Sequence, residues 1–110
     1  MGRFIKGEVV VIPFPFSDLS QAKRRPALVV AALPGNDLIL CQITSKNIAD
    51  RFAVPLTETD FAAGALKVAS NVRPNRIFTA DHSIVLYSMG RLNHEKTESV
   101  IEKIVQILRA

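Results

Sequence analysis

Prolines and turn residues cut this chain into short extended runs, and only its final stretch carries a helical stripe. Prolines stand at 13, 15, 26, 34, 55 and 74, each bordering or interrupting an aliphatic or β-branched run. Proline cannot donate to a β-ladder, so each of these positions marks a strand end, an edge or an irregularity. In "NHEKTESVIEKIVQILRA", by contrast, Val100, Ile101, Ile104, Val105 and Leu108 recur at helical spacing; Asn93 suits the N-cap and Glu95 the first turn. Many short strands closed by one helix predict an antiparallel, barrel-like α+β domain. A chain of 110 residues holds one core, so residues 1–110 are expected to form a single domain.

Segment by segment, "GEVVVIPFPF" predicts a strand over Val9–Ile12 that Pro13 and Pro15 end, followed by the polar loop "SDLSQAKRR". "PALVVAAL" predicts a buried strand, and Pro26 biases Arg25 toward extended backbone at its edge. "PGND" is a turn, so "LILCQITSK" should return as the second arm of a hairpin, with Gln42, Thr44 and Lys46 continuing the face that Leu38 and Leu40 begin. "FAVPL" reads as a short strand and "TETDFAAGAL" as a loop. "KVASNVRPNRIFTAD" reads as two extended pieces split by Pro74, and periodicity leaves "HSIVLYSMGRL" open between strand and short helix.

The apolar fraction is 48% and the charged fraction 22%, an ordinary globular balance without low-complexity tracts. A lone Cys41 excludes an intramolecular disulfide or a thiolate metal cluster and fits a reducing, cytoplasmic setting. The opening apolar run is too short for a signal-peptide core or a membrane span, and Lys6 stands where a myristoylation signal needs Ser or Thr. The net charge of +4 favours polyanionic partners. Its distribution is more informative, because residues 19–36 carry Lys23, Arg24 and Arg25 without an acid, and residues 61–80 carry Lys67, Arg73 and Arg76 likewise.

His82 and His94 show no metal-ligand spacing, so no metal and no cofactor is expected; P-loop, dinucleotide and nucleophile-elbow motifs are absent too. What remains near strand ends is Arg25, Thr44, Ser45, Arg73, Asn75, Arg76 and Thr79, a set rich in phosphate-binding groups. Each has an ordinary structural reading: a solvated arginine, or a threonine placed for β-propensity. His82, His94 and Asp18 are surface groups by default that can also carry a proton. Phe14 and Phe16 read as core plugs rather than base-stacking groups.

Taken in order, "KGEVVVIPFPFSDLSQAKRRPALVV", "CQITSK", "NVRPNRIFTAD" and "ESVIEKIVQIL" resemble the four blocks of the MazF/PemK (Kid-like) type II toxins, small endoribonucleases related in fold to CcdB. The resemblance spans nearly the whole chain and implies an SH3-like antiparallel β-barrel with a C-terminal helix, a homodimer whose groove holds single-stranded RNA such as mRNA, and a cognate antitoxin. It also implies a short helical turn at "HSIVL". Carried onto this sequence, it makes Arg25 the catalytic arginine and Thr44 the hydroxyl at the scissile phosphate. Ser45 lines the same site, and Lys23, Arg24, Arg73, Asn75 and Arg76 hold RNA. Asn75 departs from the PemK-like branch, which has an acid there, and an amide takes no proton at neutral pH.

Metal-free RNA cleavage can use the ribose 2′-hydroxyl as nucleophile, giving a 2′,3′-cyclic phosphate and a 5′-hydroxyl. It needs a proton acceptor, a proton donor and cations around the phosphate. Arg25, always protonated, suits charge stabilisation; the acceptor is left open among Asp18, His82 and a water. The rival readings are a non-catalytic RNA- or protein-binding module of the same fold, and a CcdB-like inhibitor of DNA topology enzymes. The "RRP" and "ITS" blocks argue against the latter.

Overall fold

The computed structural model of the chain describes residues 4–14, 23–46 and 50–110. Its strands are β1 (Glu8–Phe14), β2 (Lys23–Ala32), β3 (Asp37–Thr44), β4 (Val54–Leu56), β5 (Phe61–Gly64), β6 (Ser70–Asp81) and β7 (Tyr87–Leu92), and α1 spans His94–Arg109. The strands form one curled antiparallel sheet in the order β4-β6-β3-β2-β1-β7-β5, an SH3-like half-barrel carrying the C-terminal helix. The β2–β3 hairpin and the helix follow the sequence pattern. Short helical turns stand at Glu58–Asp60 and His82–Ile84, the second where the family resemblance implies one.

The run "VVVI" in β1 is apolar without alternation because the curled sheet is covered on both faces. Val9, Leu28, Cys41, Ile43, Val72 and helix residue Val100 form one buried cluster; Val10, Ile12, Ala27, Val29, Leu38 and Leu40 form the other, beneath Phe4, Phe78, Ile84 and Val85. The Asn93 side chain caps α1 by accepting from the Lys96 N–H at 2.8 Å. Such a cap contributes about 1 kcal/mol, whereas one fully buried Val contributes roughly 1.5–3 kcal/mol. Packing of Val100 and Ile104 on the first cluster, more than the cap, therefore holds the helix.

Several boundaries differ from the sequence reading. β1 runs through Pro13 to Phe14. The Val11 carbonyl accepts from the Leu86 N–H at 2.8 Å, and Pro13 turns toward the same side, beyond the last β1–β7 pair at Tyr87, so its missing N–H costs the ladder nothing. β2 begins at Lys23, because Lys23, Arg24 and Arg25 pair with Phe14, Pro13 and Ile12; Arg25 lies inside the strand, not at its edge. The segment read as a loop after residue 57 contains β5. At the crossing of β5 and β7, Gly64 (φ +73°) pairs with Gly90, and a Cβ on Gly64 would stand 2.1 Å from the Met89 carbonyl oxygen. Only glycine fits that approach.

β6 is one strand where two pieces were expected. Its pairing with β3 is nevertheless broken at Pro74: Ile43 pairs with Val72 and Cys41 with Ile77, so residues 73–76 bulge opposite Gln42. Pro74 is fully buried there. The Cys41 thiol donates to the Arg73 carbonyl at 3.0 Å, satisfying a bulge acceptor, and burial pushes its pKa up to about 12. The lone cysteine is thus a packing and hydrogen-bonding residue, inert toward redox chemistry in the folded chain.

Candidate nucleic-acid interface

The start of β2, the end of β3 and the bulge of β6 lie at one end of three adjacent strands. The β2–β3 pairing reaches Ala27–Gln42, and the same register carried two residues further sets Arg25 opposite Thr44. Strand alternation gives those two a common face with Gln42, while Ile43 and Ser45 turn to the other. Two sequence-distant positions are thereby brought to one sheet end.

A hollow of about 240 Å³ opens beside them, lined by Val11, Arg24, Arg25, Pro26, Ile43, Ser45, Leu66, Lys67, Val68, Ser70, Tyr87 and Met89. Among these described residues three side chains are cationic, three carry hydroxyls, and none is Asp or Glu. Arginine and lysine around hydroxyl donors suit a phosphate diester. Ser45 lines this hollow and Thr44 does not; the Thr44 hydroxyl oxygen instead accepts from the Lys46 N–H at 3.1 Å, shaping the turn that carries Ser45. Arg25 is the residue common to both groups, sharing Thr44's face by alternation while bordering the hollow. Lys67, Ser70 and Tyr87 were not singled out as site residues by sequence reasoning. They come from β7, from the segment before β6 and from the first residue of β6, which only the curl of the sheet carries to β2.

Arg73 has a different setting. Its Nη2 donates to the Asp50 carboxylate at 3.3 Å, with side-chain exposures of 20% and 8%, and its buried Nε has no partner. The Phe52 N–H first, then the Arg73 guanidinium and the Asn75 side chain, hold the Asp50 carboxyl below the usual aspartate range against an opposing desolvation penalty. Asn75 and Arg76 are exposed on the bulge, and Lys23 is exposed at the start of β2. Asp50 was not foreseen, since nothing local links it to a residue 23 positions away.

One suggested proton acceptor falls elsewhere. His82 sits beyond the far end of β6, its N–H donating to the Asn36 carbonyl at the β2–β3 turn. Pairing of Asp37 with Asp81 and of Thr44 with Asn71 separates His82 from the Arg25 end by on the order of 20 Å of strand. Within one chain His82 is therefore not a proton acceptor at Arg25. Asp18, Phe16 and the Phe14 side chain lie outside the described residues. Among the described residues no group of three or more His, Cys, Asp or Glu is arranged to hold a metal, and no helix is long and apolar enough to cross a membrane.

Solved structures share this architecture. MazF from Deinococcus radiodurans superposes with a TM-score of 0.78 at 22% identity, covering 100% of both chains. An endoribonuclease from Mycobacterial species gives 0.76 at 13% identity over 99% of this chain and 94% of that one. A MazE-MazF structure from Deinococcus radiodurans gives 0.75 at 18% identity over 98% and 97%. No curated protein matches the sequence significantly. The family model that does match describes a PemK-like, MazF-like toxin of a type II toxin-antitoxin system and extends over residues 5–108, nearly the full length that folds into this half-barrel and helix. The chain belongs to the PemK-like, MazF-like toxins.

Proposed function

We propose that this toxin is a metal-independent endoribonuclease that cuts single-stranded RNA in the cytoplasm, as a homodimer restrained by a cognate antitoxin. Family membership supports the class of activity, and the two structural neighbours described as an endoribonuclease and as a MazE-MazF assembly are consistent with it. The observation that carries the reading in this chain is the hollow in which Arg25, Arg24 and Lys67 meet Ser45 and Ser70.

In the proposed reaction the ribose 2′-oxygen attacks the adjacent phosphorus and its proton passes to an acceptor, Asp18 or a water. The P–O5′ bond breaks and the leaving oxygen takes a proton, leaving a 2′,3′-cyclic phosphate and a 5′-hydroxyl. Arg25 stabilises the charge that builds on the phosphoryl oxygens. Ser45 donates a hydrogen bond to the diester from the hollow, and Thr44 fixes the strand end from which it does so. Lys23, Arg24 and Arg76 hold flanking phosphates, which supplies affinity without sequence preference.

The test is single-stranded RNA incubated with the protein in EDTA, with product ends mapped. Cleavage to cyclic-phosphate ends, lost in Arg25→Ala and reduced in Thr44→Ala while circular dichroism is unchanged, is the expected result; full cleavage by a folded Arg25→Ala would remove the arginine from the site. A second reading, a binding module that does not cut, draws on Asn75 in place of an acid and on the engagement of Asp50 by Arg73. It predicts salt-sensitive RNA binding by the wild type with no cut ends.

A further inference from the structure

β4 and β5 are the two free edges of the curled sheet, so the gap between them is the mouth of the half-barrel. A second hollow, of about 390 Å³, lies in that mouth. Leu56 of β4 and Phe61 of β5 line it together with Thr57, Glu58 and Thr59 of the intervening turn and Leu66–Ala69 of the segment that leads to β6. Leu66, Lys67 and Val68 also line the cationic hollow, so one strip of chain is the wall between the two.

The chemistry on the two sides of that wall differs. The cationic side gathers Arg24, Arg25 and Lys67, with no acid among its described lining residues. The mouth side sets an apolar surface, Leu56, Phe61 and Leu66, beneath a rim of Thr hydroxyls and the Glu58 carboxylate. Neighbouring Asp60 is engaged, accepting from the Thr57 N–H at 2.8 Å and pairing with Lys96 at 3.6 Å, which leaves Glu58 as the acid on the rim. A carboxylate repels phosphate but accepts from amino groups. An apolar surface with an accepting rim suits a flat heterocycle whose edge donates, and unpaired bases are read by stacking together with hydrogen bonds to that edge.

We propose that the hollow at the barrel mouth is a nucleobase subsite, seating an unpaired base with an exocyclic amino group, cytosine or adenine in preference to uracil, next to the phosphate held across the wall. Glu58 accepts from the amino group, Phe61 and Leu66 meet the base face, and Lys67 contacts the phosphate linking that nucleotide to the reacting one. This rests on the proposed RNA-cleaving function and gives that site its sequence preference.

Binding and cutting separate the two ideas. Fluorescence anisotropy with single-stranded oligonucleotides lacking the 2′-hydroxyl, as C, A and U homopolymers, reads base preference where cleavage is blocked. Tighter binding of C or A than U, by roughly five-fold or more, is expected for the wild type. Glu58→Gln, at an exposed position, should collapse that ranking. Lys67→Ala should weaken all sequences alike and lower the salt slope by about one. A wild type that ranks U equal to C and A, or a Glu58→Gln protein that keeps the wild-type ranking, overturns the subsite. If the ranking collapses as expected but the wild type leaves all-RNA strands uncut, the subsite stands and the nuclease reading fails. If the wild type cuts and Glu58→Gln keeps its cut-site spectrum, the reverse holds.

Discussion

Two Arg-Pro pairs in this chain have opposite fates. Arg25-Pro26 lies in a regular stretch of β2 paired to β1, and its arginine borders a hollow that Arg24, Lys67 and three hydroxyl side chains also line. Arg73-Pro74 lies in a bulge of β6, its proline buried and its guanidinium held by Asp50 with little exposure. The same dipeptide serves in one place to present a charge and in the other to bury one. The difference comes from what surrounds each: Lys67 and Arg24 gather at the first, while an aspartate from the β3–β4 connection meets the second. A guanidinium already matched by a carboxylate has less to offer an incoming phosphate, which gives Arg73 the task of anchoring the residue-50 segment to β6; we propose the chemistry for Arg25 from the cations and hydroxyls beside it.

Breaking each arginine's surroundings sharpens that contrast, and the largest effect belongs to Arg25. Loss of one transition-state donor of this kind costs roughly 100- to 1,000-fold in rate, and Arg25→Ala is expected to show it in single-turnover cleavage. Next in size is Asp50→Ala, which strands a buried guanidinium with an already unpartnered Nε. It should lower the thermal midpoint clearly, whereas Arg73→Met with Asp50→Leu, which removes both charges together, should restore most of it. A fall to the same midpoint in the single and double variants would show that the cost lies in losing the pair itself and not in a stranded charge.

Acid unfolding follows from the same pair. The folded Asp50 carboxyl titrates below its ordinary value, so its contribution is present above the ordinary aspartate pKa and is lost as the pH falls through the lowered one. Asp81, held down by the Ser83 N–H, contributes in the same direction. Asp50→Asn should therefore lower stability at neutral and alkaline pH and so flatten its fall at acid pH. An unchanged acid limb in denaturant titrations would contradict the assignment.

Away from the arginines the effects are structural. Gly64→Ala forces a side chain into left-handed backbone and against β7, and should cost more than about 2 kcal/mol in urea unfolding. Cys41→Ala, the smallest change, removes one thiol-to-carbonyl bond at the Arg73 bulge and should cost about 1 kcal/mol. In the wild type Cys41 should resist thiol reagents until the chain unfolds.

Local pattern carried much of this into view. The hairpin and the closing helix with its Asn93 cap follow from spacing and turn chemistry that neighbouring residues impose, whereas the family resemblance alone grouped Arg25 with Thr44 and Ser45, and Thr44 does not line the hollow. Four ordered blocks implied the family before any contact was known. The Arg73–Asp50 pair, the bulge and β5 depend on register between strands far apart in sequence, which no short window encodes. The wall shared by the two hollows depends on the curl of the whole sheet. Pro13 was read as a strand end because proline lacks a donor, yet the ladder at that point asks for none on that side.

We propose that the chemistry resides at Arg25 and not at Arg73. Its most direct test is single-turnover cleavage of single-stranded RNA in EDTA by Arg25→Ala beside the Arg73→Met/Asp50→Leu double variant, both confirmed folded. The account predicts that the double variant cuts within a few-fold of wild type while Arg25→Ala falls by about 100-fold or more. An inactive double variant with a fully active Arg25→Ala would contradict it.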